Sequence, residues 1–218
     1  MRAVIFDLWD TLVLWPLEEA RRLNERIAER LGVQPERFAE VWNAARPARS
    51  VGPLLENVRG VLAELDLNGA EAEEVTRLRL EHTRRVLRPR EGALETLDEL
   101  RRRGLRLGLI SVCSEDVVHA WDESPFAGRF DSVVLSCSVG LAKPDPRIYE
   151  LAAEELGVPP EECLFVGDGA NDELAGAERA GMRAALILRP GEEEPLWPEA
   201  RTWRGLRLHA LPEVLDVL

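Results

Sequence analysis

From Pro89 onward, short apolar runs alternate with amphipathic segments at helical spacing. Glu91 to Arg103 reads as a helix closed by Gly104, and Leu105 to Ser111 as a strand. Residues 115 to 121 follow as a helix, Ser132 to Leu135 as a strand, and Pro146 to Leu156 as a helix ended by Gly157. Cys163 to Val166 is a strand, Asp172 to Ala180 a helix and Ala184 to Leu188 a further strand. Such alternation requires a parallel sheet with helices on both faces, a doubly wound α/β fold. The Pro-, Glu- and Trp-rich tail from Glu192 to Arg204 reads as irregular, ahead of a short terminal helix from Pro212 to Leu218.

The N-terminal run Val4-Ile5-Phe6 predicts a buried strand that delivers Asp7 at its carboxyl end. A buried, unpaired carboxylate is costly, so Asp7 reads as a metal ligand, a nucleophile or a partner for a cation, and the first two together are adopted here. Between residues 17 and 87 no strand pattern occurs. Leu17, Ala20, Leu23, Ile27 and Leu31 recur at helical spacing before Gly32, and similar patterns run over 35–46, 53–67 and 70–87. The chain therefore divides into a core of residues 1–14 and 89–218 and an all-helical insertion of residues 15–88.

In open parallel sheets the carboxyl ends of the strands form the ligand crevice. Asp7, Ser111 and Gly167-Asp168 end strands, and Lys143 lies in the loop after another, so scattered residues converge on one edge. Lys143 is the only lysine among 28 basic residues, which points to a site where a compact ammonium is needed and a planar guanidinium is not. The net charge of −12 argues against general nucleic-acid or anionic-membrane binding. Cys113, Cys137 and Cys163 are widely spaced in or beside apolar runs and form no C-x-x-C pair, so buried reduced thiols and a cytoplasmic location are expected. No apolar segment reaches membrane-spanning length. His82, His119 and His209 fall away from the crevice and are read as structural or exposed.

Four segments carry a family resemblance: Phe6-Asp7-Leu8-Trp9-Asp10-Thr11-Leu12, Ile110-Ser111, Gly140-Leu141-Ala142-Lys143-Pro144-Asp145-Pro146 and Val166-Gly167-Asp168-Gly169-Ala170-Asn171-Asp172. In this order the chain resembles the haloacid dehalogenase (HAD) superfamily of hydrolases, on the phosphoglycolate phosphatase-like and 2-haloacid dehalogenase-like branch with a helical, C1-type cap. The resemblance implies a Rossmann-like core with 15–88 as the cap, and a Mg²⁺-dependent phosphatase acting on a small phosphorylated metabolite. Asp7 would be the nucleophile that forms an aspartyl phosphate, Ser111 and Lys143 would bind the phosphoryl group, and Thr11 would support the turn. Mg²⁺ would be held by Asp7, the backbone carbonyl of Trp9 and Asp168, with Asp172 bound directly or one step behind.

Two departures qualify that expectation. Trp9 stands where the family's phosphatases carry the aspartate that serves as general acid and base, and indole exchanges no useful proton. Asp10, the next residue, is a candidate weak substitute that should point elsewhere. Val112 follows Ser111 where the family commonly has Asn. An aromatic residue at position 9 is similar to the metal-independent 2-haloacid dehalogenases, whereas retention of Asp168 and Asp172 favours phosphoryl chemistry over halide displacement. A third reading is a catalytically impaired member that binds a phosphorylated ligand or a protein.

Overall fold

The computed structural model describes all 218 residues and contains one parallel sheet of six strands. The strands are β1 (Ala3–Phe6), β2 (Arg106–Ser111), β3 (Ser132–Leu135), β4 (Cys163–Gly167), β5 (Arg183–Ile187) and β6 (Leu206–Leu208). Their spatial order is β3-β2-β1-β4-β5-β6, with β1 at the centre. Ala3 pairs in register with Arg106 on one side and Cys163 on the other.

β1 is apolar throughout because helices cover both faces of the sheet. Its side chains alternate between them. Val4 and Phe6 pack with Leu97 and Leu100 of the helix Ala93–Arg102, and Ala3 and Ile5 with Ile148 and Ala152 of Pro146–Leu156. The doubly wound α/β architecture is thus the one the alternation required.

Two details at the C-terminus differ from the sequence reading. The tail carries a sixth strand, Leu206–Leu208, which extends the sheet in parallel beside β5. Three residues are too few for a period to declare itself. The terminal segment Leu211–Asp216 is a 3₁₀-helix, not an α-helix. It docks Leu211 and Val214 on the sheet face that holds Val4 and Phe6.

Residues between the first two strands form the helices Leu17–Leu31, Pro35–Ala44, Arg46–Arg49, Leu54–Glu64 and Ala72–Val86. They enclose an apolar cluster of their own, including Ile27, Phe38, Val58 and Leu62, separate from the clusters on the sheet. Polar contacts seat this block over the strand ends. The Leu54 amide donates to Glu115 Oε2 at 2.6 Å, Ser136 Oγ donates to the Ser50 carbonyl at 2.9 Å, and the Thr83 hydroxyl donates to the Asp116 carboxylate. Glu115, Asp116 and Ser136 all lie just past the carboxyl ends of β2 and β3.

Candidate active site

Asp7 follows β1 directly, held there by its amide, which donates to the Val166 carbonyl at 2.9 Å. Its carboxylate is 6 % exposed and accepts a hydrogen bond from Lys143 Nζ, which also donates to Glu173 Oε2. Lys143 reaches this point from a rigid turn: Asp145 caps the next helix by accepting from the Arg147 amide at 3.0 Å, and Pro146 occupies the first helical turn. Burial pulls the Lys143 ammonium down, but the facing carboxylates of Asp7 and Glu173 outweigh it and the net shift is upward. The lysine is charged at any physiological pH.

One oxygen from each of Asp7, Asp168 and Glu173 lies within 4.8 Å of the others. With Lys143 as the only cation inside, the group holds more negative charge than its partner neutralises. Burial first, and then the crowding of like charge, opposes ionisation of these acids. Burial, reinforced by Asp7, raises the Asp168 carboxyl to about 6 against hydrogen bonds from Ala170 and Trp197, and burial raises Glu173 against the attraction of Lys143. Hard oxygen donors with surplus negative charge are the donor set that suits a divalent cation such as Mg²⁺.

Asp172, expected among the metal ligands, lies outside this group and is exposed. The third carboxylate of the group is Glu173 instead. The reason is local: Asn171 and Asp172 both adopt left-handed backbone, at φ 54° and 53°, and this turn rotates Asp172 to solvent while Glu173 opens the helix Glu173–Arg179 on its buried side. Gly167 leaves the room. A Cβ there would sit 2.1 Å from Glu173 Oε1, which instead accepts from the Gly169 amide at 2.9 Å. The Glu173 carboxylate is therefore satisfied on both oxygens, one by backbone and one by lysine.

The turn after β1 folds back so that the Val13 amide donates to the Leu8 carbonyl at 2.9 Å, and no hydrogen bond ends on the Trp9 carbonyl. The Trp9 indole packs edge-on against Trp15, with ring centroids 5.0 Å apart. Asp10, at φ 56°, turns its carboxylate the other way, to the Trp15 amide and Arg189. It is engaged there by both partners. Buried Arg90 fastens the turn by donating to the carbonyls of Asp10 and Thr11 at 3.4 and 3.3 Å and to Leu188 at 3.2 Å. Thr11 Oγ1 is buried without a hydrogen-bond partner.

Ser111 ends β2 fully buried, and its Oγ also lacks a partner. An unpaired buried hydroxyl costs about 1–3 kcal/mol unless a ligand supplies the bond. On the far side, Trp197 Nε1 donates to Asp168 Oδ2 at 2.5 Å, and the Ala170 amide to Oδ1 at 3.1 Å. Sequence reasoning missed Glu173, Trp197 and Arg90. Only Glu173 carried a signal, an acid heading a helix one position past the expected ligand.

Comparison with known proteins agrees with this geometry. The family model of haloacid dehalogenase-like hydrolases matches residues 1–181. A glyceraldehyde 3-phosphate phosphatase of Methanopyrus kandleri is 32 % identical over 214 residues, covering 91 % of this chain and 88 % of that protein. The (S)-2-haloacid dehalogenase 4A of Burkholderia cepacia is 27 % identical over 204 residues, covering 88 % and 84 %. The crystal structure of an HAD phosphatase from Thermococcus onnurineus matches with a TM-score of 0.73 at 23 % identity, over 100 % of this chain and 97 % of that one, a likeness of fold. Family model, relative and sheet topology agree, and the chain belongs to the haloacid dehalogenase-like hydrolases.

Proposed function

We propose that this hydrolase is a Mg²⁺-dependent phosphatase of a small phosphorylated metabolite, with residues 15–88 as the cap over the crevice and Asp7 as the nucleophile. The observation that carries this reading is the surplus of buried negative charge at Asp7, Asp168 and Glu173 around a single lysine. Displacement of halide from carbon has no use for such a set. The phosphatase name of the relative at 32 % identity supports the same choice.

In the proposed reaction an Asp7 oxygen attacks phosphorus, the bond to the leaving oxygen breaks, and an aspartyl phosphate forms. Lys143 offsets the repulsion between the Asp7 carboxylate and the incoming phosphoryl group, and Glu173 fixes where the ammonium stands. The unpartnered Ser111 hydroxyl donates to a phosphoryl oxygen. Asp7, Asp168 and the free carbonyl of Trp9, with Glu173 behind, would hold Mg²⁺, which would supply charge neutralisation at the phosphoryl oxygens. Water then attacks the phosphoenzyme, releases orthophosphate and restores Asp7.

No side chain of the turn after β1 protonates the leaving oxygen, because Trp9 carries no exchangeable acid and Asp10 is held by Arg189. The proton comes from solvent, so the enzyme favours leaving groups that need none, such as those of acyl phosphates. The aromatic at position 9 supports one second reading, a metal-independent 2-haloacid dehalogenase. Both are tested by assaying phosphate release from acetyl phosphate, p-nitrophenyl phosphate and alkyl phosphates with and without Mg²⁺, beside Asp7→Asn. Release that requires Mg²⁺ and falls at least ~10³-fold in the variant is expected. Halide release from 2-chloropropionate in EDTA, without phosphate release, overturns the phosphatase reading.

A further inference from the structure

The segment between β5 and β6 folds back across the loop that follows β4. Trp197, midway along it, donates its indole N–H to Asp168 Oδ2 at 2.5 Å, while the ring packs on the apolar cluster that includes Leu174, Leu186 and Ala200. Glu199 Oε1 accepts from the Asn171 amide at 2.9 Å. Gly169, at φ 87°, lets the two backbones approach so closely that a Cβ there would lie 2.4 Å from the Cβ of Ala200. Three successive points of this segment, Trp197, Glu199 and Ala200, therefore grip three of the loop, Asp168, Asn171 and Gly169.

We propose that Trp197 is a positioning residue for the metal-binding carboxylate of Asp168, delivered by a strap of residues 197–203 that clamps the loop after β4. An indole N–H donates and cannot accept, ionise or ligate a cation, so it fixes one carboxylate oxygen without competing for the ion. The Ala170 amide fixes the other oxygen at 3.1 Å. Each oxygen keeps a lone pair for the cation, and the plane of the carboxylate is set before the ion arrives. Groups that orient a ligand in this way contribute about 10- to 100-fold to metal affinity. The proposal rests on the reading of Asp168 as a Mg²⁺ ligand.

Isothermal titration with Mg²⁺ in substrate-free buffer tests it on the native protein, Trp197→Phe and Glu199→Ala. Trp197→Phe keeps an aromatic ring in the cluster and removes only the donor. Its Kd for Mg²⁺ should rise ~10-fold or more while its melting temperature in EDTA stays near native, a split that a purely structural tryptophan would not give. Glu199→Ala, which loosens the strap without touching Asp168, should weaken binding by a smaller factor. An unchanged Kd in Trp197→Phe overturns the role of Trp197 and leaves the metal site standing, whereas a native protein that binds no Mg²⁺ overturns both.

Should Trp197→Phe melt early in EDTA, the native protein supplies the measurement. In the spectrum of protein labelled with ¹⁵N-tryptophan, the Trp197 indole resonance, assigned by its absence from the variant, should shift on addition of Mg²⁺. A resonance indifferent to saturating Mg²⁺ counts against the proposal.

Discussion

Arg189 Nε lies 3.0 Å from Asp10 Oδ1, and the Trp15 amide donates to the same oxygen at 2.9 Å. The acid nearest in sequence to the missing general acid is thus a structural clasp, joining the turn after β1 to the chain leaving β5. Replacing it with asparagine keeps an acceptor but removes the charge that faces Arg189. Asp10→Asn should lose ~1 kcal/mol of stability, read by urea denaturation, because the pair is partly exposed on the arginine side. Its pH–rate profile should keep the native shape; loss of a limb would make Asp10 an acid in the reaction.

Trp9 has the opposite standing, since on the proposed function its side chain stands where a proton carrier is expected. Trp9→Asp should raise kcat/KM on alkyl phosphates by ~10²-fold and change kcat/KM on acetyl phosphate little, because kcat/KM reports the transfer to Asp7 and only the poor leaving group needs a proton in that step. Loss of the edge-on contact with Trp15 should destabilise the variant by ~1 kcal/mol. Equal responses of the two substrates would sink the account of Trp9 as the limit on turnover.

Lys143 is the sole cation between Asp7 and Glu173, and its side chain is 3 % exposed. Lys143→Met leaves the acids facing one another without it. In EDTA the variant should be less stable by about 3–5 kcal/mol, the usual consequence of breaking a buried ion pair. Saturating Mg²⁺ should return more stability to the variant than it adds to the native protein, because the ion then meets charge that nothing else balances. The comparison of urea midpoints with and without Mg²⁺ checks both statements.

His82 predicts a pH dependence outside the catalytic centre. Burial first, then the cations Arg79 and Arg85, push its imidazole from 6.5 down to about 4, against Glu19 and Asp116. Between those values the unfolded chain binds the proton and the folded chain does not. The stability linked to His82 is therefore complete above pH ~6.5 and is lost as pH falls toward ~4, by up to ~2 kcal/mol after allowance for partial solvent screening. His82→Gln should flatten that part of the stability–pH curve. An equal slope in both proteins would assign the loss to carboxylates instead.

The alternation of strands and helices is visible in residue periodicity because the central strands, β1 and β4, are buried on both faces and the helices on one. The convergence of Asp7, Lys143 and Asp168 follows from the same pattern, since strand ends in a parallel sheet share an edge. Glu173 is different: whether it or Asp172 faces inward depends on two left-handed residues, a backbone choice that side-chain spacing does not encode. Trp197 and Arg90 act across long stretches of chain, and nothing near them in sequence marks their partners. β6 is invisible for a simpler reason, being three residues long.

The position of β1 has a consequence for how the molecule is made. Ala3–Phe6 is synthesised long before its register partners, which begin at Arg106 and Cys163. At ordinary rates of synthesis of about 5–20 residues per second, the second partner follows after on the order of ten seconds or more. The helices between Leu17 and Val86 can bury Ile27, Phe38 and Leu62 among themselves in that time, because their contacts are local. Val4, Ile5 and Phe6 wait unpaired, and no nascent chain that stops short of Gly167 can present Asp7 on a finished strand.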